Sequence, residues 1–217
     1  MYNDDHRSQL IAVGQELFNR GLQTTRSGNL SVRDGDRFLI TQTGANLGHL
    51  SDANLIHVGL AHHSPVPVGA SCETPLHRAI YNATEALAIV HAHPIHAIAL
   101  AQVSSGDRIM PIHNEGLAGL NGIAVVDTTV PGKDTGEEPA AITAALKQGC
   151  SVVVRGHGAF TIGSSLDQAC YKMMLLEDSC RINLLVLEHT RTVAAPKLLA
   201  VSKSPGRTGA RRFVVSD

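Results

Sequence analysis

Apolar strands and short helices alternate along the second half of the chain, and this alternation limits the fold more than any other feature. The strand patterns are runs of apolar residues, whereas the helix patterns repeat an apolar residue every three or four positions. The predicted strands cover residues 86–91, 123–126 and 150–155, and the predicted helices cover 95–102, 137–148 and 165–188. Such alternation is typical of α/β domains, in which helices pack on a sheet.

The first half adds helices and antiparallel strands to the same domain. The predicted elements are a helix over 10–18 followed by Gly21, strands 30–33 and 38–41 joined by Asp34-Gly35-Asp36, a hairpin over 55–68, and a helix starting at Thr74-Pro75 and running through Tyr81. We therefore predict one α/β domain with a mixed sheet over residues 1–195. Residues 196–217 combine Lys and Arg with Gly and Ser, which predicts a basic, mobile tail.

Composition and charge exclude two classes of partner. The 217 residues include 18 Lys and Arg against 19 Asp and Glu, whereas a general nucleic-acid binder carries a basic domain. No apolar run reaches the roughly 20 residues of a spanning helix. The first residues are polar and acidic, unlike a signal peptide. We expect a cytoplasmic protein that binds neither nucleic acid nor a membrane.

Histidine is the unusual component of the chain. Eight of its 12 histidines lie between residues 49 and 96. The four cysteines show no CxxC pair and no zinc-finger spacing, so we expect reduced thiols. Because imidazole is the commonest metal ligand in proteins, this composition favours a metalloenzyme.

The motif His91-Ala92-His93-Pro94 ends the predicted strand 86–91. Residues two apart on a strand point to the same face, so both imidazoles project together where open α/β sheets commonly bind ligands. His157, between Gly156 and Gly158, follows another apolar strand. Considered separately, His91 and His93 are compatible with a structural role, and His157 is compatible with a turn that faces solvent. Together, three neutral imidazoles with an open position would form a catalytic zinc site.

Glu73 and three short polar loops complete the candidate site. Glu73 precedes the predicted helix start, where it would either complement the helix dipole or act as a general base beside the metal. The loops Ser27-Gly28-Asn29, Thr43-Gly44 and Ser71-Cys72 are each compatible with an ordinary turn. Together they offer N–H groups and hydroxyls suited to a phosphate or a carboxylate.

In this order, the motifs resemble the class II aldolase/adducin-head family, and in particular its fuculose-phosphate aldolase branch. The matching segments are Ser27-Gly28-Asn29-Leu30-Ser31-Val32-Arg33, Leu39-Ile40-Thr41-Gln42-Thr43-Gly44, Ser71-Cys72-Glu73, Ile89-Val90-His91-Ala92-His93 and Gly156-His157-Gly158. The resemblance covers roughly residues 5 to 190. It implies a three-layer αβα fold around a mixed, largely antiparallel sheet, and a homotetramer with active sites at subunit interfaces.

The resemblance also implies residue roles. His91, His93 and His157 match the zinc ligands, and Glu73 matches the catalytic acid/base. Gly28, Asn29, Thr43, Gly44 and Ser71 match the phosphate-binding loops.

Two positions depart from the family pattern. Cys72 replaces the second of two serines, and a thiol is a poor hydrogen-bond donor. No tyrosine occurs over residues 111–116, where these aldolases place the proton donor to the leaving aldehyde. His113 and Glu115 are the candidate replacements, unless they only shape a polar loop.

The resemblance favours zinc-dependent, reversible aldol cleavage of a small sugar phosphate, such as L-fuculose 1-phosphate, to dihydroxyacetone phosphate and an aldehyde. Manganese, cobalt or iron would also suit three imidazoles. The alternatives are a pentulose-phosphate 4-epimerase, a methylthioribulose-phosphate dehydratase or a decarboxylase at the same site. A non-catalytic module like the adducin heads is disfavoured by the three histidines and Glu73, and a zinc hydrolase is an alternative outside the family.

Overall fold

A computed structural model describes residues 4–127 and 137–194 of the chain. Two compact units are distinguished, Met1–Leu184 and Leu185–Asp217. The helices are α1 (Asp4–Asn19), α2 (Thr74–Ala83), α3 (Ile95–Val103), α4 (Asn114–Leu120), α5 (Glu137–Gln148) and α6 (Leu166–Ala194). The strands are β1 (Asn29–Asp34), β2 (Arg37–Thr41), β3 (Leu55–Gly59), β4 (Ala88–Ala92), β5 (Arg108–Ile109), β6 (Ile123–Val126), β7 (Ser151–Val154) and β8 (Gly158–Gly163). The predicted tail, 196–217, lies outside the described residues.

The eight strands form one sheet in the order β3-β2-β1-β4-β8-β7-β6-β5. The pair β6–β7 is parallel, and the other neighbouring pairs are antiparallel. The predicted mixed, largely antiparallel sheet is therefore confirmed.

Helices cover both faces of the sheet because successive strand residues point to opposite sides. In β4, Ala88, Val90 and Ala92 belong to a buried cluster with residues of α1, α3 and α6. Ile89 belongs to a second buried cluster with residues of α2 and α5. The result is the predicted three-layer αβα arrangement. His91, two residues after Ile89, lies on the face covered by α2 and α5.

The predicted hairpin over 55–68 is wrong in its second half. Only β3 forms, and it pairs with β2. The returning segment contains Pro65 and Pro67, which lack the N–H that a paired strand needs. It rejoins the sheet edge through one bridge, between Ala70 and Gln42.

Strand β8 is absent from the sequence prediction. Its segment, Gly158–Gly163, begins and ends with glycine, a residue depleted in strands. Pairing with β4 on one side and β7 on the other overrides that weak local preference. This strand positions the turn that carries His157.

Candidate metal centre

The three predicted ligands converge at one end of the sheet. His91 lies in β4, His93 follows it directly, and His157 lies in the turn between β7 and β8. The Nε2 atoms of His91 and His93 are 3.2 Å apart, and one ring nitrogen from each of the three residues lies within 4.8 Å of the others. A Cβ at Gly158 would lie 2.6 Å from the Ala92 carbonyl oxygen, so only glycine allows this turn to approach β4 so closely.

The surroundings of His91 fix its tautomer and keep it neutral. Its Nδ1–H donates to the Ala159 carbonyl at 3.0 Å, which leaves the lone pair on Nε2 facing the other histidines. The ring stacks on Phe160 with a centroid distance of 4.1 Å. Burial, followed by the neighbouring His157 and His93, holds the pKa of His91 well below its ordinary value. Burial also lowers the pKa of His93. Both imidazoles are therefore available as neutral ligands.

Glu73 faces this cluster from the start of α2. Its Oε2 lies 3.4 Å from His91 Nε2, and its Oε1 lies 3.6 Å from His157 Nε2. Helix α2 begins at Thr74, so Glu73 occupies its N-cap position. The Glu73 side chain nevertheless makes no capping hydrogen bond. A role in complementing the helix terminus does not explain the direction of this carboxylate, whereas proximity to a metal does.

The donor set fits a divalent transition metal. Tetrahedral zinc with Zn–N bonds of about 2.0 Å separates two imidazole nitrogens by about 3.3 Å. The 3.2 Å between His91 and His93 matches that spacing. The Glu73 carboxylate and the His91 Nε2 lone pair face each other, and a cation between such groups removes their repulsion. His91, His93 and His157 are the residues that would hold the ion.

Gly28 and Asn29 adjoin the same centre. Gly28 has a φ of +76°, and a Cβ there would lie 2.4 Å from Gln23 Oε1 and 2.7 Å from the His91 carbonyl oxygen. Only glycine therefore fits. The Asn29 side-chain amide donates to Glu73 Oε2 at 2.6 Å. Asn29 thus contacts the candidate base directly.

Thr43, Gly44 and Ser71 belong to two adjoining segments. The Thr43 N–H donates to the Gly69 carbonyl at 2.9 Å, next to the bridge between Gln42 and Ala70. Thr43 and Gly44 are exposed, whereas Ser71 is buried. Ser71 Oγ accepts a hydrogen bond from the Glu73 N–H at 3.3 Å. The segments adjoin each other, and their phosphate-binding role stays a prediction.

A model of the class II aldolase and adducin N-terminal domain matches residues 8–184. The chain belongs to this family. A probable bifunctional methylthioribose-1-phosphate isomerase/methylthioribulose-1-phosphate dehydratase from Nocardia farcinica is 34% identical over 190 residues, covering 81% of this chain but only 34% of that protein. A methylthioribulose-1-phosphate dehydratase from Acidiphilium cryptum is 30% identical, and the match covers 78% of this chain and 85% of that protein. The L-fuculose-1-phosphate aldolase structure from Thermus thermophilus is 34% identical and superposes with a TM-score of 0.79. The match covers 88% of this chain and 98% of that chain.

These similarities confirm the predicted family, the αβα fold and the assignment as a class II aldolase enzyme. Within residues 4–127 and 137–194, no helix combines the length and the apolarity that crossing a membrane requires.

The two candidate replacements for the family's loop tyrosine lie at the start of α4. The ring nitrogens of His113 contact Ser179 Oγ at 2.9 Å and the Gly116 N–H at 3.4 Å, so this imidazole caps α4. Glu115 accepts a hydrogen bond from the Tyr171 hydroxyl at 3.0 Å on an exposed part of α6. The hydrogen bonds of both residues go to α4 and α6 rather than to the histidine cluster.

The sequence analysis missed a buried polar group behind Glu73. Ser31 Oγ lies 2.7 Å from His77 Nδ1 and 2.7 Å from the Tyr81 hydroxyl. One signal was present: Glu73, His77 and Tyr81 recur every four residues and therefore share one face of α2.

Proposed function

We propose that this member of the class II aldolase and adducin family is a metal-dependent lyase of a small sugar phosphate. The observation that carries the proposal is the position of the Glu73 carboxylate, within 3.6 Å of two of three converging imidazoles. A base beside a metal centre suits removal or delivery of a proton at the carbon next to a ketone.

We assign the metal to His91, His93 and His157, with zinc as the first choice. A divalent ion held there would act as a Lewis acid that stabilises negative charge developing on substrate oxygens. Three histidines with an open position are typical of catalytic zinc sites, although manganese, cobalt and iron also accept imidazole.

Glu73 is assigned as the acid/base that moves the proton at carbon. Asn29 donates to one of its oxygens, which orients the carboxylate and leaves the other oxygen directed towards His157. In aldol cleavage, the hydroxyl group of the departing fragment loses its proton to solvent as the carbon–carbon bond breaks, and this fragment leaves as the aldehyde. The electron pair stays on the carbon beside the ketone, and Glu73 in its protonated form delivers a proton to that carbon, so that one proton is lost and one is gained. The reverse direction removes the same proton.

The phosphate is assigned to Gly28, Asn29, Thr43, Gly44 and Ser71. The contacts of Asn29 and Ser71 with Glu73 support this assignment, as does the hydrogen bond of the Thr43 N–H to Gly69, two residues before Ser71. Backbone N–H groups in such loops bind anions without a fixed positive charge.

Aldol cleavage is the first candidate for the overall reaction, with L-fuculose 1-phosphate as the test substrate and dihydroxyacetone phosphate and an aldehyde as products. The 34% identity and TM-score of 0.79 with the T. thermophilus aldolase support it. Dehydration of methylthioribulose 1-phosphate is the second candidate. Relatives at 34% and 30% identity are named for that reaction, and residues 111–116 lack the tyrosine expected of the aldolases.

A homotetramer with its sites at subunit interfaces belongs to the same proposal. Exposed apolar side chains support it, among them Met110, Ile112 and Leu117 around the start of α4. The proposed cytoplasmic location is supported by four cysteines that form no disulfide. Light scattering on the purified protein measures the mass of the assembly.

Metal analysis followed by product analysis tests the function. We expect about one zinc per chain and turnover that a chelator abolishes and zinc restores. Release of dihydroxyacetone phosphate from L-fuculose 1-phosphate would establish aldol cleavage. Loss of water from methylthioribulose 1-phosphate without fragmentation would establish dehydration. Full turnover by metal-free protein would contradict a metal-dependent lyase.

A further inference from the structure

Five polar side chains line the contact between α2 and β1, and the proposed reaction uses only two of them. Glu73, His77 and Tyr81 recur every four residues on one face of α2, and Asn29 and Ser31 are two residues apart on one face of β1. We call these five residues the α2–β1 seam.

Hydrogen bonds connect the two sides of the seam along its length. Asn29 donates to Glu73 at 2.6 Å, and Ser31 Oγ lies 2.7 Å from both His77 Nδ1 and the Tyr81 hydroxyl. Ser31, His77 and Tyr81 are almost completely buried. Because a buried polar pair contributes little net stability compared with apolar side chains of similar shape, stability alone does not account for this group.

The inner part of the seam is uncharged, which suits a position near a metal centre. Burial lowers the pKa of His77 to about 3, against a weaker opposing effect of Glu73, so the imidazole is uncharged at neutral pH. A neutral His77 adds no positive charge beside a cation site. It also forms no ion pair with Glu73, and therefore does not compete for the carboxylate.

The strand that anchors α2 also pairs with the strand that carries the first metal ligand. In the β1–β4 register, Asn29 lies opposite His91 and Ser31 lies opposite Ile89. Phe160 of β8 stacks on His91 and meets the edge of His77 at a centroid distance of 6.3 Å. The first turn of α2 and the histidine His91 are therefore both held by contacts with the neighbouring strands β1, β4 and β8.

We propose that Ser31, through His77 and Tyr81, acts as a positioning residue that holds the first turn of α2 against β1 and so fixes the Glu73 carboxylate relative to His91 and His157. The inference rests on the proposed role of Glu73 in proton transfer. Its physical basis is that catalytic groups tolerate little displacement, since a misplacement of about 1 Å can reduce a rate by about a hundredfold.

The test compares Ser31→Ala with Thr161→Val. Thr161 is equally buried and donates to the Ala169 carbonyl at 2.8 Å, but that bond faces α6. Each variant therefore loses one buried hydroxyl. For Ser31→Ala, we expect zinc to be retained, kcat to fall at least about tenfold with KM within about twofold, and amide hydrogen exchange to increase in the first turn of α2. Thr161→Val should lower the melting temperature and leave kcat and this exchange unchanged.

Further variants keep the inference falsifiable if Ser31→Ala folds poorly. Tyr81→Phe removes only the outer hydroxyl, and we expect a smaller decrease in kcat with the same localised increase in exchange. His77→Asn keeps a polar group near Nδ1 and should retain more kcat than His77→Leu.

Three outcomes separate this inference from the proposed function. Unchanged kcat and exchange in Ser31→Ala and Tyr81→Phe would overturn the positioning role. Loss of zinc from Ser31→Ala would also overturn it, because the seam would then hold the histidines rather than Glu73. Localised exchange in Ser31→Ala, with a wild-type protein that shows no lyase activity, would support the seam's hold on α2 and reject the proposed function.

Discussion

Within the described residues, one histidine–carboxylate group surrounds Glu73 and another surrounds Glu177, and the first has the geometry of a metal centre. Glu73 faces His91 and His157, and Glu177 of α6 lies 2.7 Å from His96 Nδ1 at the start of α3. The two carboxylate side chains are 17% and 12% exposed. Neither the residue types nor the burial of the carboxylates distinguishes the groups.

Their hydrogen bonds do distinguish them. Glu177 accepts the His96 N–H at 3.1 Å and the Ala97 N–H at 3.0 Å, so it serves as the cap of α3. Glu73 makes no cap and faces imidazole nitrogens instead. A carboxylate whose oxygens are occupied by backbone donors stabilises a helix, whereas one that faces lone pairs needs a cation or a proton. The difference predicts opposite consequences for equivalent substitutions.

Removal of one histidine from each group should give the largest contrast. His157→Ala leaves two imidazoles, so we expect zinc affinity to fall more than about a hundredfold, with loss of measurable turnover. His96→Ala should retain both the zinc affinity and the turnover, because His96 lies on α3 and contacts Glu177. Zinc titration against a competing chelator measures the affinity. Equal zinc loss in the two variants would remove the distinction between the groups.

Glutamine substitutions test the carboxylates with little change in shape. Glu73→Gln should bind zinc and lose about a thousandfold in kcat, because the amide cannot accept the proton. Glu177→Gln should keep its kcat and lose about 1 kcal/mol of unfolding free energy, since one charge-assisted acceptor of the α3 cap becomes neutral. Kinetics and urea unfolding on both variants check these results. Near-wild-type turnover by Glu73→Gln would reject its role as the base.

Local patterns predicted the convergence of His91, His93 and His157 better than they predicted the second group. The His91-Ala92-His93 pair follows from two-residue strand periodicity, and Gly156-His157-Gly158 marks a turn at a strand end. No local pattern links Glu177 to His96, because 81 residues separate them. The role of Glu177 depends on how α6 packs beside α3, which only the three-dimensional fold determines.

The sheet shows the same division between local and tertiary information. Long periodic segments such as α6 were predictable, whereas β8 depends on its two neighbouring strands and the second arm of the 55–68 hairpin is prevented by prolines. The α2–β1 seam needed both kinds of information. The four-residue spacing on α2 was visible in the sequence, but its partner Ser31 lies 46 residues from His77.

The buried imidazole of the seam should also make stability depend on pH. Between pH 6.5 and the pKa of about 3 in the folded state, the unfolded chain protonates His77 and the folded chain does not. The free energy of unfolding therefore falls as the pH falls through this range, by up to about 1.4 kcal/mol per pH unit from this group. His91 and His93, with lowered pKa values, act in the same direction in metal-free protein.

Urea unfolding of metal-free protein measures how the free energy of unfolding depends on pH. A practical range is about pH 4.5 to about pH 6.5. In His77→Asn, the slope of unfolding free energy against pH should decrease by up to about 1.4 kcal/mol per pH unit, with the largest decrease at the low-pH end of this range. Thr161→Val supplies a destabilised control without a titratable group, and its slope should match the wild type. A wild-type slope in His77→Asn would show that His77 is not held neutral in the folded state.

The smallest expected effect concerns the loop before Glu73, where Cys72 stands in place of the family's second serine. Its thiol is exposed, in contrast to the buried thiols of Cys170 and Cys180, whose pKa values burial raises to about 12. If this loop binds the substrate phosphate, Cys72→Ser supplies a stronger donor and should lower KM for a phosphorylated sugar by about threefold, because one additional neutral hydrogen bond contributes about 0.5–1.5 kcal/mol. Cys72→Ala, which removes the donor without replacing it, is the matched control and should raise KM or leave it unchanged. Steady-state kinetics on the phosphorylated sugar and its unphosphorylated counterpart locate the effect, and an equal decrease in KM for both would place the contact of Cys72 away from the phosphate.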